Sequence, residues 1–139
     1  MTSGANHHVA VWLDHREARV FQIQHDTFEK WTFHAPHHLV RRHPDRNVAE
    51  SNHPDDAKRF FHDVARALDA AEEILVVGPS NAKLQFIAYV HTHYPKLEQR
   101  IVGIETVDHP TDPQLAAFAR QHFHGTDRLR GLTPYKSLS

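Results

Sequence analysis

The chain has 139 residues, 40% hydrophobic and 24% charged, with 5 Gly and 8 Pro. This ordinary globular composition excludes a disordered, collagen-like or low-complexity protein and fits one domain, at roughly 150 residues apiece. Sixteen Lys and Arg against seventeen Asp and Glu leave a formal charge of −1, so no polycationic field exists for nucleic acid. The chain contains no cysteine, which removes disulfides, thiolate zinc sites, iron–sulfur clusters and Cys nucleophiles together. No apolar run approaches the roughly 20 residues that cross a bilayer, and Met1 to His8 lacks the basic and apolar blocks of a signal peptide. The expected location is cytoplasmic, with no membrane partner. The outlier is histidine, at fifteen residues, a side chain whose reference pKa of about 6.5 lets modest acidification add positive charge.

In HVAVWL (His8 to Leu13) both alternating faces are apolar, which predicts a central strand. Ala18 to Gln24 and Thr27 to Phe33 follow after short polar breaks, the spacing of an antiparallel meander. His34 to His53 has two prolines and no clean period, so it reads as a long loop of the kind that is usually functional or mobile. Pro54 with Asp55 and Asp56 predicts a helix start, and Ala57, Phe61, Val64 and Leu68 supply its apolar stripe to about Ala71. The short apolar strand Glu73 to Val77 ends at Gly78-Pro79-Ser80-Asn81. A helix then carries Ala82, Phe86, Ile87 and Val90 on one face and stops before Pro95. Arg100 to Val107 reads as the last strand. Thr111-Asp112-Pro113-Gln114 has capping-box spacing for a final helix with Leu115, Phe118, Ala119, His122 and Phe123 inside, ending at Gly125. The expected fold is α/β: a three-layer, ribonuclease-H-like arrangement with a mixed five-stranded sheet, order β-β-β-α-β-α-β-α, and three helices. One domain is expected over residues 1–125, with a flexible tail over 126–139.

A ribonuclease-H-like nuclease needs several carboxylates around two divalent metals. Asp14 follows the first strand, but the fourth runs directly into Gly78-Pro79 without one, and Asp108 and Asp112 would need a different geometry. Asp14 reads first as a turn residue bonded to its own backbone. No catalytic residue is assigned, and the chain is not expected to be an enzyme.

The turn Gly78, Pro79, Ser80, Asn81 and Lys83 joins a strand to a helix amino end, where free N–H groups favour an anion. The bland alternative is a turn with a Ser80 or Asn81 cap and a solvated lysine. It lacks the glycines and the Lys-Ser/Thr ending of a P-loop, so no nucleoside triphosphate and no cofactor is assigned. In the long loop, His37, His38, Arg41, Arg42, His43 and Arg46 stand against Asp45, and Lys58, His62 and Arg66 recur at four-residue steps on the helix that follows. Such a patch suits phosphate, with affinity that falls with salt. No aromatic residue lies there to stack bases. His91-x-His93 and His122-x-His124 lack chelating helical spacing, so no metal is assigned. His62 and His122 are expected to be half-buried, with a ring nitrogen on backbone.

The segments VAVWLDHREARVFQI, GPSNAKLQF and RIVGIETV resemble the central domain of the archaeal and eukaryotic peptide-release factor and of Pelota, including the stand-alone bacterial branch of that superfamily. The likeness runs from about Val9 to Phe123. Its most specific elements are Gly78-Pro79 with Lys83 and Phe86, and Asp14 with Ala18-Arg19-Val20. In the release factor, the resemblance implies, the segment after the third strand carries a catalytic Gly-Gly-Gln. This chain has no Gly-Gly-Gln anywhere, as in Pelota-like members, so release activity is not carried over. The resemblance implies a non-catalytic, translation-associated protein that binds ribosome or structured RNA through the basic loop, with a protein partner as a further option. The competing readings are a His-rich metal- or pH-responsive module and a degenerate nuclease. Oligomeric state is not legible.

Overall fold

A computed structural model describes residues 8–36 and 46–132, with side chains described over 8–36 and 57–125. Strands β1 (His8–Leu13), β2 (Glu17–Ile23) and β3 (Phe28–His34) open the chain as an antiparallel meander. Its two turns are closed by Asp14 N–H donating to Glu17 O and Gln24 N–H to Thr27 O, each at 3.0 Å. Then come α1 (Arg46–Ala67), β4 (Glu73–Gly78), α2 (Ala82–His93), α3 (Pro95–Glu98), β5 (Ile101–Thr106) and α4 (Asp112–Leu132). The sheet order is β3-β2-β1-β4-β5, with β4 parallel to both β1 and β5. This is the expected mixed, ribonuclease-H-like sheet. Among the described residues it carries four helices rather than three, because Pro95, read only as the stop of α2, also fits the first position of the one-turn α3.

Two helix ends differ from expectation. Helix α1 begins at Arg46, so Pro54 is interior rather than the first helical residue. The run 46–53 has no apolar period, but it holds the good helix formers Arg46, Ala49 and Glu50 and no glycine. Helix α4 passes Gly125 and ends at Leu132. Its start is as expected: Gln114 N–H donates to Thr111 Oγ1 at 3.2 Å while Thr111 N–H donates to Gln114 Oε1 at 2.9 Å, a reciprocal capping box.

The chain divides into two compact units, Met1–His109 and Pro110–Ser139. In the first, β1 and β4 are buried along nearly their whole length because apolar side chains occupy both faces. On one face Val9, Val11, Val20, Ile74 and Val76 pack with Phe61, Val64 and Leu68 of α1 and Phe86 and Val90 of α2. Strand β3 is a largely exposed edge with Trp31 47% accessible. In the second unit, α4 buries Leu115, Ala116, Ala119 and Phe123, whereas Phe118, expected inside, is exposed. Steps of roughly 100° per residue centre that stripe so that Ala116 falls within it and Phe118 at its border.

At the end of β4, a Cβ on Gly78 would lie 2.2 Å from the Leu13 carbonyl oxygen. Only glycine lets β4 close on β1 there. Gly125 has nothing within 4 Å of an added Cβ, so it is a plain helix-interior glycine. Gly78→Ala should therefore lower stability by at least about 2 kcal/mol, read from urea midpoints. Gly125→Ala should stabilise α4 by about 0.5–1 kcal/mol, read as slower amide exchange in that helix.

Candidate functional site

Because β1, β4 and β5 run parallel, the segments that follow them emerge at one end of the sheet, the end where open α/β sheets bind ligands. Three groups meet there. Asp14 follows β1, the Gly78 to Lys83 turn follows β4, and Asp108-His109 follows β5. Asp14 Oδ1 accepts from Arg16 N–H at 2.8 Å and Glu17 N–H at 3.0 Å, the bonding of a turn residue. Its other oxygen lies 3.8 Å from His109 Nε2, and His109 Nδ1 lies 2.8 Å from Asp108 Oδ1. Trp12 Nε1–H donates to Asp108 O at 2.8 Å, and the Trp12 and His109 rings are 5.1 Å apart. The Arg19 guanidinium sits 4.4 Å from the centre of the Trp12 ring.

His109, set between two carboxylates, was not singled out in the sequence; the available signal was an Asp-His pair directly after a strand. Asp108 is 91% and His109 61% exposed, so water screens the pair and its energetic weight is small. Among the described residues, no group of three or more His, Asp or Glu side chains converges to hold a metal.

The glycine turn is bonded differently from expectation. Lys83 is buried rather than solvated, and its ammonium donates to Ser80 O at 2.9 Å. Asn81 is the N-cap of α2 by position but makes no side-chain cap bond. Gly78 O accepts from Val107 N–H at 3.1 Å, tying this turn to the end of β5. Ser80 and Asn81 are exposed. The ammonium is thus held within the turn by a carbonyl.

No family model matches the chain. The Pelota homologue of Methanocaldococcus jannaschii is 24% identical over 96 residues, covering 68% of this chain and 26% of that protein. That of Pyrococcus furiosus is 31% identical over 58 residues, covering 37% and 16%. Among solved structures, Archaeoglobus fulgidus Pelota matches with a TM-score of 0.62 at 16% identity, over 94% of this chain and 37% of its own. Thermoplasma acidophilum Pelota matches at 0.56 with 16% identity, over 81% and 32%. The archaeal translation termination factor aRF1 matches at 0.53 with 12% identity, over 88% and 39%. The fold is that of a Pelota/release-factor-like domain. The chain spans about a quarter or less of the length of the curated relatives it matches.

Within this Pelota-like fold His37, His38, Arg41, Arg42 and His43 lie outside the described residues, and Arg46 opens α1. Lys58 and Arg66 are exposed on α1, two helical turns apart. His62 between them is half-buried, and its Nδ1 is hydrogen-bonded to the Tyr94 hydroxyl rather than to backbone. It therefore does not extend a free cationic stripe. The His91 and His93 side chains have separate partners: His91 Nδ1 is 2.9 Å from Glu98 Oε1, and the His93 ring lies 4.4 Å from that of Tyr89. Among the described residues, no helix is long and apolar enough to cross a membrane.

Tyr89 also borders Tyr94, and its phenol is raised above 10.0 by burial first, then by Tyr94 and by Asp63. The folded chain holds this proton more tightly than the unfolded chain. The contribution is complete below about pH 10 and is lost as pH rises through the raised value. Urea midpoints should fall on alkaline titration, and less steeply for Tyr89→Phe, which has no phenolic proton to lose.

Proposed function

We propose that the chain is a non-catalytic, cytoplasmic, translation-associated protein that contacts the ribosome or structured RNA without promoting peptide release. The observation that carries this reading is the extent of the likeness: a Pelota structure matches 94% of the chain. The absence of Gly-Gly-Gln supports leaving hydrolysis out. The contact surface in this reading is the basic segment of His37, His38, Arg41, Arg42, His43 and Arg46, with Lys58 and Arg66 on α1. The Gly78, Pro79, Ser80, Asn81 and Lys83 turn provides a second anion contact. Arginine forks suit phosphate oxygens, and each phosphate contact releases counterions.

Sucrose-gradient sedimentation of lysate at low salt tests the reading. Co-migration with ribosomal particles that is lost on ribonuclease treatment supports it, whereas recovery only at the top of the gradient in growing and starved cells overturns it. In a separate measurement, Arg41→Ala with Arg42→Ala should reduce the slope of log affinity against log salt for structured RNA by about two. An unchanged slope removes the loop from the interface.

A further inference from the structure

The opposite end of the parallel strands carries a different chemistry. Roughly 20 Å from the glycine turn along β4, a cavity of about 670 Å³ opens between the end of α1, the α2–α3 corner and the residue before β5. Its lining includes Arg66, Lys96 and Arg100 against one carboxylate, Asp69. Three permanent cations less one anion leave two positive charges with the histidines neutral. A helix dipole accounts for Arg66 in the last turn of α1. It does not account for Lys96 in a one-turn helix, or for Arg100 beyond it.

Arg100 is fixed. Its Nη1 donates to Asp69 O at 2.8 Å and Ala71 O at 3.2 Å, which orients the guanidinium and leaves the Nε and Nη2 hydrogens for a ligand. Tyr94 is fixed as well, by its hydroxyl bond to His62 Nδ1. It presents an aromatic ring in the same wall, beside Pro95 and Leu97. One fixed guanidinium with two exposed cations beside it, a held aromatic ring and apolar side chains lining one cleft match a ligand with a doubly charged head and a flat, partly apolar body. A phosphomonoester carries about −1.5 to −2 charges at neutral pH, which balances the lining. A carboxylate would leave one charge unmet.

We propose that this cavity binds a nucleoside monophosphate group, with phosphate held by Lys96, Arg66 and Arg100 and the base against Tyr94. The group is either a free nucleotide or the phosphorylated end of an RNA strand. The inference stands on the cavity alone and does not depend on the basic loop binding RNA.

Calorimetric titration of the full chain with AMP, adenosine, inorganic phosphate, and hexa-adenylate with or without a 5′-phosphate is the test. AMP should bind saturably and at least about tenfold more tightly than phosphate or adenosine. The exposed Lys96→Glu should weaken AMP by about tenfold or more while leaving the thermal melting point in place. Tyr94→Leu should weaken AMP more than it weakens phosphate. A phosphorylated hexamer that outcompetes AMP assigns the RNA end as the source, and the reverse order assigns the free nucleotide. AMP binding no tighter than phosphate, no saturable heat with AMP or the phosphorylated hexamer, or full affinity in folded Lys96→Glu would overturn the proposal.

Discussion

The architecture depends on how closely β4 approaches β1. Both strands are buried on two faces, so the core has no slack between them, and their parallel pairing ends where Gly78 meets the Leu13 carbonyl. A side chain at that position would push the strands apart at the end where β5 must also dock. The Val107 N–H bond to Gly78 O continues the contact to the third parallel strand. Leu13, Gly78 and Val107 thus form a line of backbone contacts across the sheet. That line determines where Asp14, the Gly78 to Lys83 turn and Asp108-His109 emerge.

Local chemistry was legible wherever neighbours in sequence decide the structure. Alternation in HVAVWL placed β1 at the sheet centre, and Thr111 with Gln114 gave the start of α4 because a capping box closes within one turn. Asp14 behaves as the turn residue its surroundings suggested. Weak or competing local signals misled at α1, where Pro54 with two aspartates imitates a helix start inside a longer helix, and at Phe118, on the border of the buried stripe. The glycine at position 78 was visible as a turn signal, but the backbone contact that requires it was not.

What sequence could not supply was long-range pairing. Tyr94 and His62 are 32 residues apart, Arg100 reaches back 31 residues to Asp69, and Trp12 bonds a carbonyl 96 residues away. None of these has a periodic signature. They arise because the crossover helices return the chain to the sheet, bringing the end of α1 beside the residue that opens β5. The histidines illustrate the consequence. His62, His91, His93 and His109 each have a different kind of partner, namely a phenol, a glutamate, an aromatic face and two carboxylates. Their abundance therefore corresponds to no single chemistry among the described residues.

A net charge of −1 also hides a separation along the strands. At their carboxyl end, Asp14 and Asp108 flank His109, and the buried Lys83 ammonium already has the Ser80 carbonyl as a partner. At their amino end, Arg66, Lys96 and Arg100 gather around one cavity, while the buried Glu73 is paired at 3.1 Å with His8. Lys83 and Arg100 share a device: backbone carbonyls fix the cation without neutralising it, since a carbonyl carries only a partial charge. The surroundings differ. Near the glycine turn a single cation, Lys83, stands with two carboxylates, one of them the water-screened Asp108, whereas the Arg100 guanidinium is joined by two further cations against one carboxylate, Asp69. The amino end of the parallel strands is thus the more favourable place for phosphate within the described part of the first unit, although the usual ligand end of such a sheet is the other one.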